Sequence, residues 1–188
     1  MRKVMVGLAV VAGLGIAVQA AVAQRPAARA PAARAAARGF RAGYMDVGAT
    51  VGFGGLGAAS SAFGGRFEMA LKPLPSLGNG MLGLQIGATY SSWSNEYASA
   101  KVIPIGVTAN YHLRLADSKI DPFVGLGLGY QIVSCSVEGL GSIGCGSNEV
   151  YFIGRAGVRY FLTPKLALYG DVGAGGATVN VGAMLKLK

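Results

Sequence analysis

The chain has 188 residues, of which 52% are hydrophobic and only 13% charged, and its formal net charge is +9. This charge does not indicate a nucleic-acid-binding protein, because seven of the 17 basic residues precede residue 42. The remaining segment has ten basic and eight acidic residues, a near balance that leaves no basic stripe for phosphates. No later stretch approaches roughly eighteen uninterrupted apolar residues, which excludes a helical membrane protein.

The first 23 residues are predicted to be an export signal. Arg2 and Lys3 form a charged start, residues 4–18 are apolar, and Ala21 and Ala23 supply the small residues of a cleavage site. We therefore expect cleavage after Ala23, which leaves a mature chain of a size that suits one domain. An uncleaved membrane anchor is the alternative, since residues 4–23 are mostly apolar.

The next segment, residues 24–41, is predicted to be a flexible basic arm. Residues 24–38 consist almost entirely of alanine, proline and arginine and lack the large apolar side chains that a packed core requires. The arginines could contact anionic lipid headgroups or a periplasmic polyanion such as peptidoglycan. A solvated spacer is the interpretation that we favour.

From residue 42 onwards, apolar and polar residues alternate with the period of two that is typical of a β-strand. In chain order, the predicted strands are residues 46–53, 66–72, 82–91, 103–114, 124–132, 152–160, 166–174 and 178–188. The breaks after the second, fourth and sixth strands have compact turn chemistry. Longer polar loops are predicted after the first, third and fifth strands, including residues 54–63 and 94–99.

Export together with alternation favours an all-β fold: an eight-stranded antiparallel transmembrane barrel, residues 42–188, in the bacterial outer membrane. Apolar side chains would face lipid, polar ones would face the lumen, and the even strand number would leave both termini periplasmic. Tyr90, Tyr111, Tyr130 and Tyr160 lie near strand ends on apolar faces, where interfacial aromatic belts occur. A soluble exported ligand-binding barrel, with its apolar faces inward, is an alternative.

The chain has two cysteines, Cys135 and Cys145, in a Gly/Ser-rich segment. An exported chain with an even cysteine count favours a disulfide, which would close a small loop outside the cell. We therefore predict that this bridge fixes a contact surface formed by residues 134–148. A metal site is disfavoured, because His112, the single histidine, is far away in the sequence.

Residues 121–130 (DPFVGLGLGY), residues 156–169 (AGVRYFLTPKLALY) and the alternating final strand resemble the small outer-membrane barrels of the OmpA, OmpX and opacity-type group. The resemblance covers residues 42–188. It implies a porin-like, monomeric, eight-stranded barrel that the barrel-assembly machinery inserts among outer-membrane lipids. One feature departs from the pattern: such proteins usually end on an aromatic residue, whereas this chain ends in Leu187 and Lys188.

The polar strand faces carry charged residues that are predicted to face the lumen. These are Asp46, Arg66, Glu68, Arg114, Arg155, Arg159 and Asp171. An eight-stranded barrel has room only for side chains, and isolated buried charges are costly, so we predict a salt-bridge network that fills the lumen. A small passive channel for ions or small solutes, made anion-favouring by its arginines, is the alternative.

Catalytic motifs are not evident in the sequence. It has no G-x-S-x-G elbow, and the alternating glycines at 125, 127 and 129 lack the strand-to-helix context of a nucleotide-binding loop. His112 could imitate the Ser/His pair of barrel enzymes, but a hydrogen-bonded lumen residue is the favoured interpretation. We predict a non-enzymatic protein with a structural or surface-interaction role, without metal or cofactor.

Overall fold

The structure is a computed structural model that describes residues 39–55, 57, 59–115, 119–139 and 147–188. Within these residues, eight strands follow in chain order: β1 (Met45–Phe53), β2 (Ser61–Leu74), β3 (Gly80–Ser94), β4 (Ala98–His112), β5 (Ile120–Val137), β6 (Glu149–Phe161), β7 (Leu166–Ala174) and β8 (Val179–Lys186). A short 3-10 helix, Pro75–Leu77, joins β2 to β3. The predicted signal, its cleavage after Ala23 and the arm up to residue 38 lie outside the described residues.

The eight strands form a closed barrel in which each strand pairs with its neighbours in the sequence. Every pairing is antiparallel, including the pairing of β1 with β8 that closes the barrel between Asp46↔Lys186 and Phe53↔Val179. Closure leaves no sheet edge along these residues, so the backbone groups of the first and last strands are paired. The predicted eight-stranded antiparallel barrel is confirmed.

Apolar side chains cover the outside of the barrel. Leu126 is 75% exposed and Phe152 is 83% exposed. Each strand contributes such a residue, for example Val47, Phe63, Ile86, Val107, Leu126, Phe152, Leu168 and Val181. The side chains between them on the same strands point inward and include most of the buried polar residues. This arrangement is the reverse of a soluble barrel, whose apolar faces point inward.

The two ends of the barrel differ in their connections. The terminal end carries the start of β1, the end of β8 and connections 75–79, 113–119 and 162–165. The distal end carries connections 54–60, 95–97, 138–148 and 175–178. The prediction of a polar loop at residues 94–99 is wrong, because β3 ends at Ser94 and β4 begins at Ala98, which leaves a turn of three residues. The Asn95 side chain stabilises this turn by accepting hydrogen bonds from the backbone N–H groups of Tyr97 (3.0 Å) and Ala98 (2.8 Å).

Three neighbouring strands extend the wall at the distal end. Strands β3, β4 and β5 have 15, 15 and 18 residues, whereas β1, β7 and β8 have 9, 9 and 8. In this extension polar residues take the outer face and apolar residues the inner one, the opposite of the barrel below. Lys101 and Ser134 are exposed on the outer face, whereas the inward positions Trp93, Val102 and Val133 are half-buried. The predicted cysteine loop therefore begins later than expected. Cys135 lies in β5 opposite Ala100.

An apolar cluster lies inside the barrel at the terminal end. Its buried members are Tyr44, Phe161, Ala167, Tyr169 and Met184, and Phe40 and Ala70 pack against them. Met184, the one large apolar residue on the inner face of β8, is 1% exposed. Packed apolar side chains thus occupy the lumen at this end, and the charged residues lie next to them.

Candidate functional site

A cluster of ion pairs occupies the lumen beside the apolar cluster, with Arg159 at its centre. Arg159 is completely buried on β6. Its Nη1 donates to Asp46 Oδ2 at 3.0 Å, its Nη2 donates to Glu68 Oε2, and its Nε lies 3.8 Å from Asp121 Oδ2. One guanidinium therefore connects carboxylates on β1, β2 and β5. Burial of so many charges is tolerable because they are paired and hydrogen-bonded.

Glu68 on β2 is the main acceptor of this cluster. Besides Arg159, Arg66 donates from Nη2 to Glu68 Oε2. Asn110 donates from Nδ2 to Glu68 Oε1 at 2.8 Å, and the same oxygen lies 2.9 Å from His112 Nε2. The Glu68 carboxylate is fully buried, so these neighbours replace the water that it would otherwise bind.

His112 lies between two carboxylates at the terminal end of β4. Its Nδ1 is 3.0 Å from both oxygens of Asp121, and its Nε2 faces Glu68. Both ring nitrogens therefore face carboxylate oxygens. The geometry gives His112 a bridging role in the cluster, as expected of a hydrogen-bonded lumen histidine.

Phe40 closes the cluster from the terminal end. Its ring stacks on His112 with centroids 3.7 Å apart and an interplanar angle of 17°, and the Arg159 guanidinium lies 4.9 Å from its centroid. Gly83 makes room for this ring, because a Cβ at that position would lie 2.7 Å from Phe40 Cζ and 2.7 Å from Glu68 Oε1. The structure thus places Phe40 in the barrel and not in the predicted flexible arm.

A second, smaller group of polar residues lies nearer the distal end. Arg155 donates from Nε to Asp171 Oδ1 at 2.8 Å and from Nη1 to the carbonyl of Ala177 at 2.5 Å. Asn180 donates from Nδ2 to the same Asp171 oxygen at 2.9 Å. This group ties β6, β7 and β8 together beneath the β7–β8 turn.

The structure brings six of the seven predicted lumen residues into these two groups and leaves one outside. Arg114 lies two residues beyond the end of β4 and is exposed, because the inward alternation of that strand ends at His112. Sequence analysis missed Asp121. This residue lies at the start of β5, before the alternating residues from 124 onwards that indicate which side chains face inward. It also missed Phe40, whose only sequence signal is a lone aromatic residue at the end of an Ala/Pro/Arg tract.

Among the described residues, no group of three His, Cys, Asp or Glu side chains is arranged to hold a metal ion. No helix in the described part of the chain is long and apolar enough to cross a membrane. The predicted Cys135–Cys145 disulfide stays a prediction, because Cys145 lies outside the described residues.

These features define a small eight-stranded antiparallel barrel with an apolar exterior and a charged lumen, the fold of small bacterial outer-membrane barrels. The structure is similar to that of Ail, the attachment invasion locus protein of Yersinia pestis, with 12% identity, a TM-score of 0.53 and coverage of 78% of this chain and 96% of that chain. It is also similar to a de novo designed transmembrane β-barrel, with 18% identity, a TM-score of 0.50 and coverage of 78% and 98%. No protein-family model and no curated protein matches the chain. The likeness shows the fold and confirms the resemblance inferred from the sequence.

Proposed function

We propose that this chain is a non-enzymatic barrel of the bacterial outer membrane, with a lumen closed by side chains and a role in structural or surface contacts. The observation that carries the proposal is the Arg159 cluster, which links five strands across the lumen next to the packed ring of Phe40. An ion or solute could pass the Arg159 cluster only if several buried ion pairs separated. Such a rearrangement is costly in a low-dielectric interior.

The outer surface supports a membrane location. The exposed apolar residues occur on all eight strands, and the shortest strands, with 8 or 9 residues, are close to the roughly 9–11 residues of a membrane-spanning strand. The extra length of β3, β4 and β5 carries exposed serine and lysine on its outer face, which suits water beyond the apolar band. Outer-membrane lipids and the barrel-assembly machinery are the implied partners of a monomeric barrel.

The orientation is part of the proposal. We place the terminal end in the periplasm, where the predicted basic arm could contact a polyanion, and the distal end outside the cell. The extended β3–β5 wall and the connection 138–148, held by the predicted Cys135–Cys145 bridge, would then form the exposed contact surface. The bridge would lie in an oxidising compartment, in which disulfides persist.

Two measurements test the proposal. Unboiled protein from a membrane fraction should migrate differently from boiled protein on an electrophoresis gel, because the closed barrel resists detergent until heated. Protein reconstituted in a planar bilayer should show no regular conductance. Discrete openings that change on Arg155→Gln substitution would contradict a closed lumen and favour a small passive channel, whereas protein that stays soluble without detergent would contradict a lipid-facing exterior.

A further inference from the structure

The distal half of the lumen contains a cavity of about 100 Å³. The charged side chains that line it are Arg66, Arg155 and Asp171, and polar neighbours include Thr50, Gln85, Thr89, Thr108, Tyr151 and Asn180. This space is large enough for several waters or for one group of a few heavy atoms. The Arg66–Glu68 pair lies where the cavity meets the Arg159 cluster.

Two residues that line the cavity have buried side-chain atoms without a hydrogen-bond partner. Within the described part of the chain, Nε and Nη1 of Arg66 have no hydrogen-bond partner, and neither has Oγ1 of Thr108. Both residues are only 4% exposed. Buried polar atoms are nearly always paired with protein, water or a bound ion, so unpaired donors on a cavity wall point to an occupant that accepts hydrogen bonds.

The charged side chains that line the cavity are two cations and one anion. Two guanidinium groups line it, those of Arg66 and Arg155, and Asp171 is the one carboxylate among its described lining residues. The Asp171 Oδ1 atom already accepts hydrogen bonds from Arg155 and Asn180. Glu68, which pairs with Arg66, is shared with Arg159, Asn110 and His112. Each cavity arginine thus has a carboxylate partner, and of the two it is Arg66 whose guanidinium keeps donors without a hydrogen-bond partner.

We propose that this cavity is a binding site for a small oxyanion, such as sulfate, phosphate or a terminal sulfate or phosphate group on a larger molecule. Guanidinium groups bind such oxyanions through charge-assisted and often bidentate hydrogen bonds, and the Thr108 hydroxyl can add a neutral one. The proposal goes beyond the surface role and needs only the folded barrel. Its failure would therefore leave the proposed function standing.

The test uses full-length protein refolded in zwitterionic detergent micelles with 15N-labelled arginine. The Nε–Hε resonances are followed while sodium sulfate replaces sodium chloride at constant ionic strength, and then with a sulfated monosaccharide in place of sulfate. We expect saturable shifts for Arg66 and Arg155. The Arg159 resonance should stay nearly unchanged, because that guanidinium lies inside the neighbouring cluster and is not part of the cavity lining.

Variants decide whether the shifts report this site. Arg66→Gln should weaken sulfate binding about tenfold or more, because it removes the charge and the unpaired donors. Lys101→Gln removes the same unit charge from the outer face of β4 and should leave binding unchanged. If Arg66→Gln fails the heat-dependent mobility check for folding, Thr108→Val serves instead and should weaken binding without changing any charge.

Several results would overturn the inference. Absence of saturable shifts with sulfate would mean that the cavity holds water only. Equal shifts of Arg66 and Arg159, or equal weakening by Arg66→Gln and Lys101→Gln, would mean nonspecific screening. Saturation by inorganic sulfate alone would support a free anion as the occupant, and tighter binding of the sulfated sugar would support an anionic group on a larger molecule.

Discussion

Replacement of Arg159 by methionine is the most direct test of how the lumen is stabilised. The substitution keeps an unbranched side chain of similar length but removes the guanidinium that contacts Asp46, Glu68 and Asp121. Three buried carboxylates would then share the one remaining arginine of the cluster, Arg66. An uncompensated buried charge is far less favourable than a paired one.

The expected loss follows from that geometry. Breaking a buried ion pair by removing one partner typically costs about 3–5 kcal/mol, and Arg159 is completely buried with two direct carboxylate partners. We expect Arg159→Met to lower the free energy of unfolding by at least the lower end of that range. The double variant Arg159→Met with Asp46→Asn should recover part of the loss, because Arg159 is the one ion-pair partner of Asp46 among the described residues.

The assay is urea unfolding of the barrel in lipid vesicles, with the folded fraction read from the mobility of unboiled protein on a gel. Linear extrapolation of the transition gives the free energy of unfolding for each variant. Lys101→Met, which removes an exposed charge on β4, is the matched control and should leave the midpoint unchanged. A change smaller than about 1 kcal/mol for Arg159→Met would refute the reasoning, because it would place these carboxylates in contact with water.

Further predictions concern packing and the cysteine bridge, and the same urea assay tests the first two. Gly83→Ala should destabilise the barrel by about 1–3 kcal/mol, because its new methyl group would lie 2.7 Å from Phe40 Cζ and from Glu68 Oε1. Gly65→Ala is the control: its methyl group would meet only a backbone carbonyl at 3.6 Å, so the free energy of unfolding should change by less than about 0.5 kcal/mol. Phe40→Ala should cost about 1–2 kcal/mol, less than the roughly 3–5 kcal/mol of a fully buried ring, because Phe40 is half-buried. Reductant should change the gel mobility of the wild type and leave Cys135→Ser unaffected.

Each of these predictions has a clear contrary result. Equal effects of alanine at Gly83 and Gly65 would show that the ring of Phe40 does not occupy the space beside β3. Wild-type stability in Phe40→Ala would place this ring outside the barrel. Identical mobility of reduced and oxidised wild-type protein, with both cysteines reactive toward a thiol reagent, would contradict the predicted bridge.

The barrel itself could be predicted because alternation is local. Residues such as Val179 and Val181 reveal their shared face within a few positions, and the same holds for all eight strands. The sequence did not predict the extensions of β3 to β5, and the reason is related. Beyond the apolar band the outer face carries serine and lysine, as at Ser94 and Lys101. A strand with a polar outer face has the composition of a polar loop.

The composition of the lumen was predictable, but its pairings were not. Asp46, Glu68 and Arg159 could be placed on inward faces, because each lies one position away from an apolar, outward-facing residue of its strand. Which of them meet depends on how far the strands are staggered when the barrel closes, and this stagger is set by pairings between distant segments. Glu68 and His112 are 44 positions apart, and Arg159 and Asp46 are 113 apart, so no local pattern records these contacts.

The unequal strand lengths give the distal opening a slanted rim. On one side β3, β4 and β5 extend beyond the other strands. On the opposite side β7 ends at Ala174 and β8 begins at Val179, joined by a short turn. A wall that stands above one side of the opening shields the approach from that side, and Arg155, which contacts the carbonyl of Ala177 in the β7–β8 turn, lies on the opposite, lower side. Among the described residues, the side of β7 and β8 is therefore the more open approach to the proposed anion site.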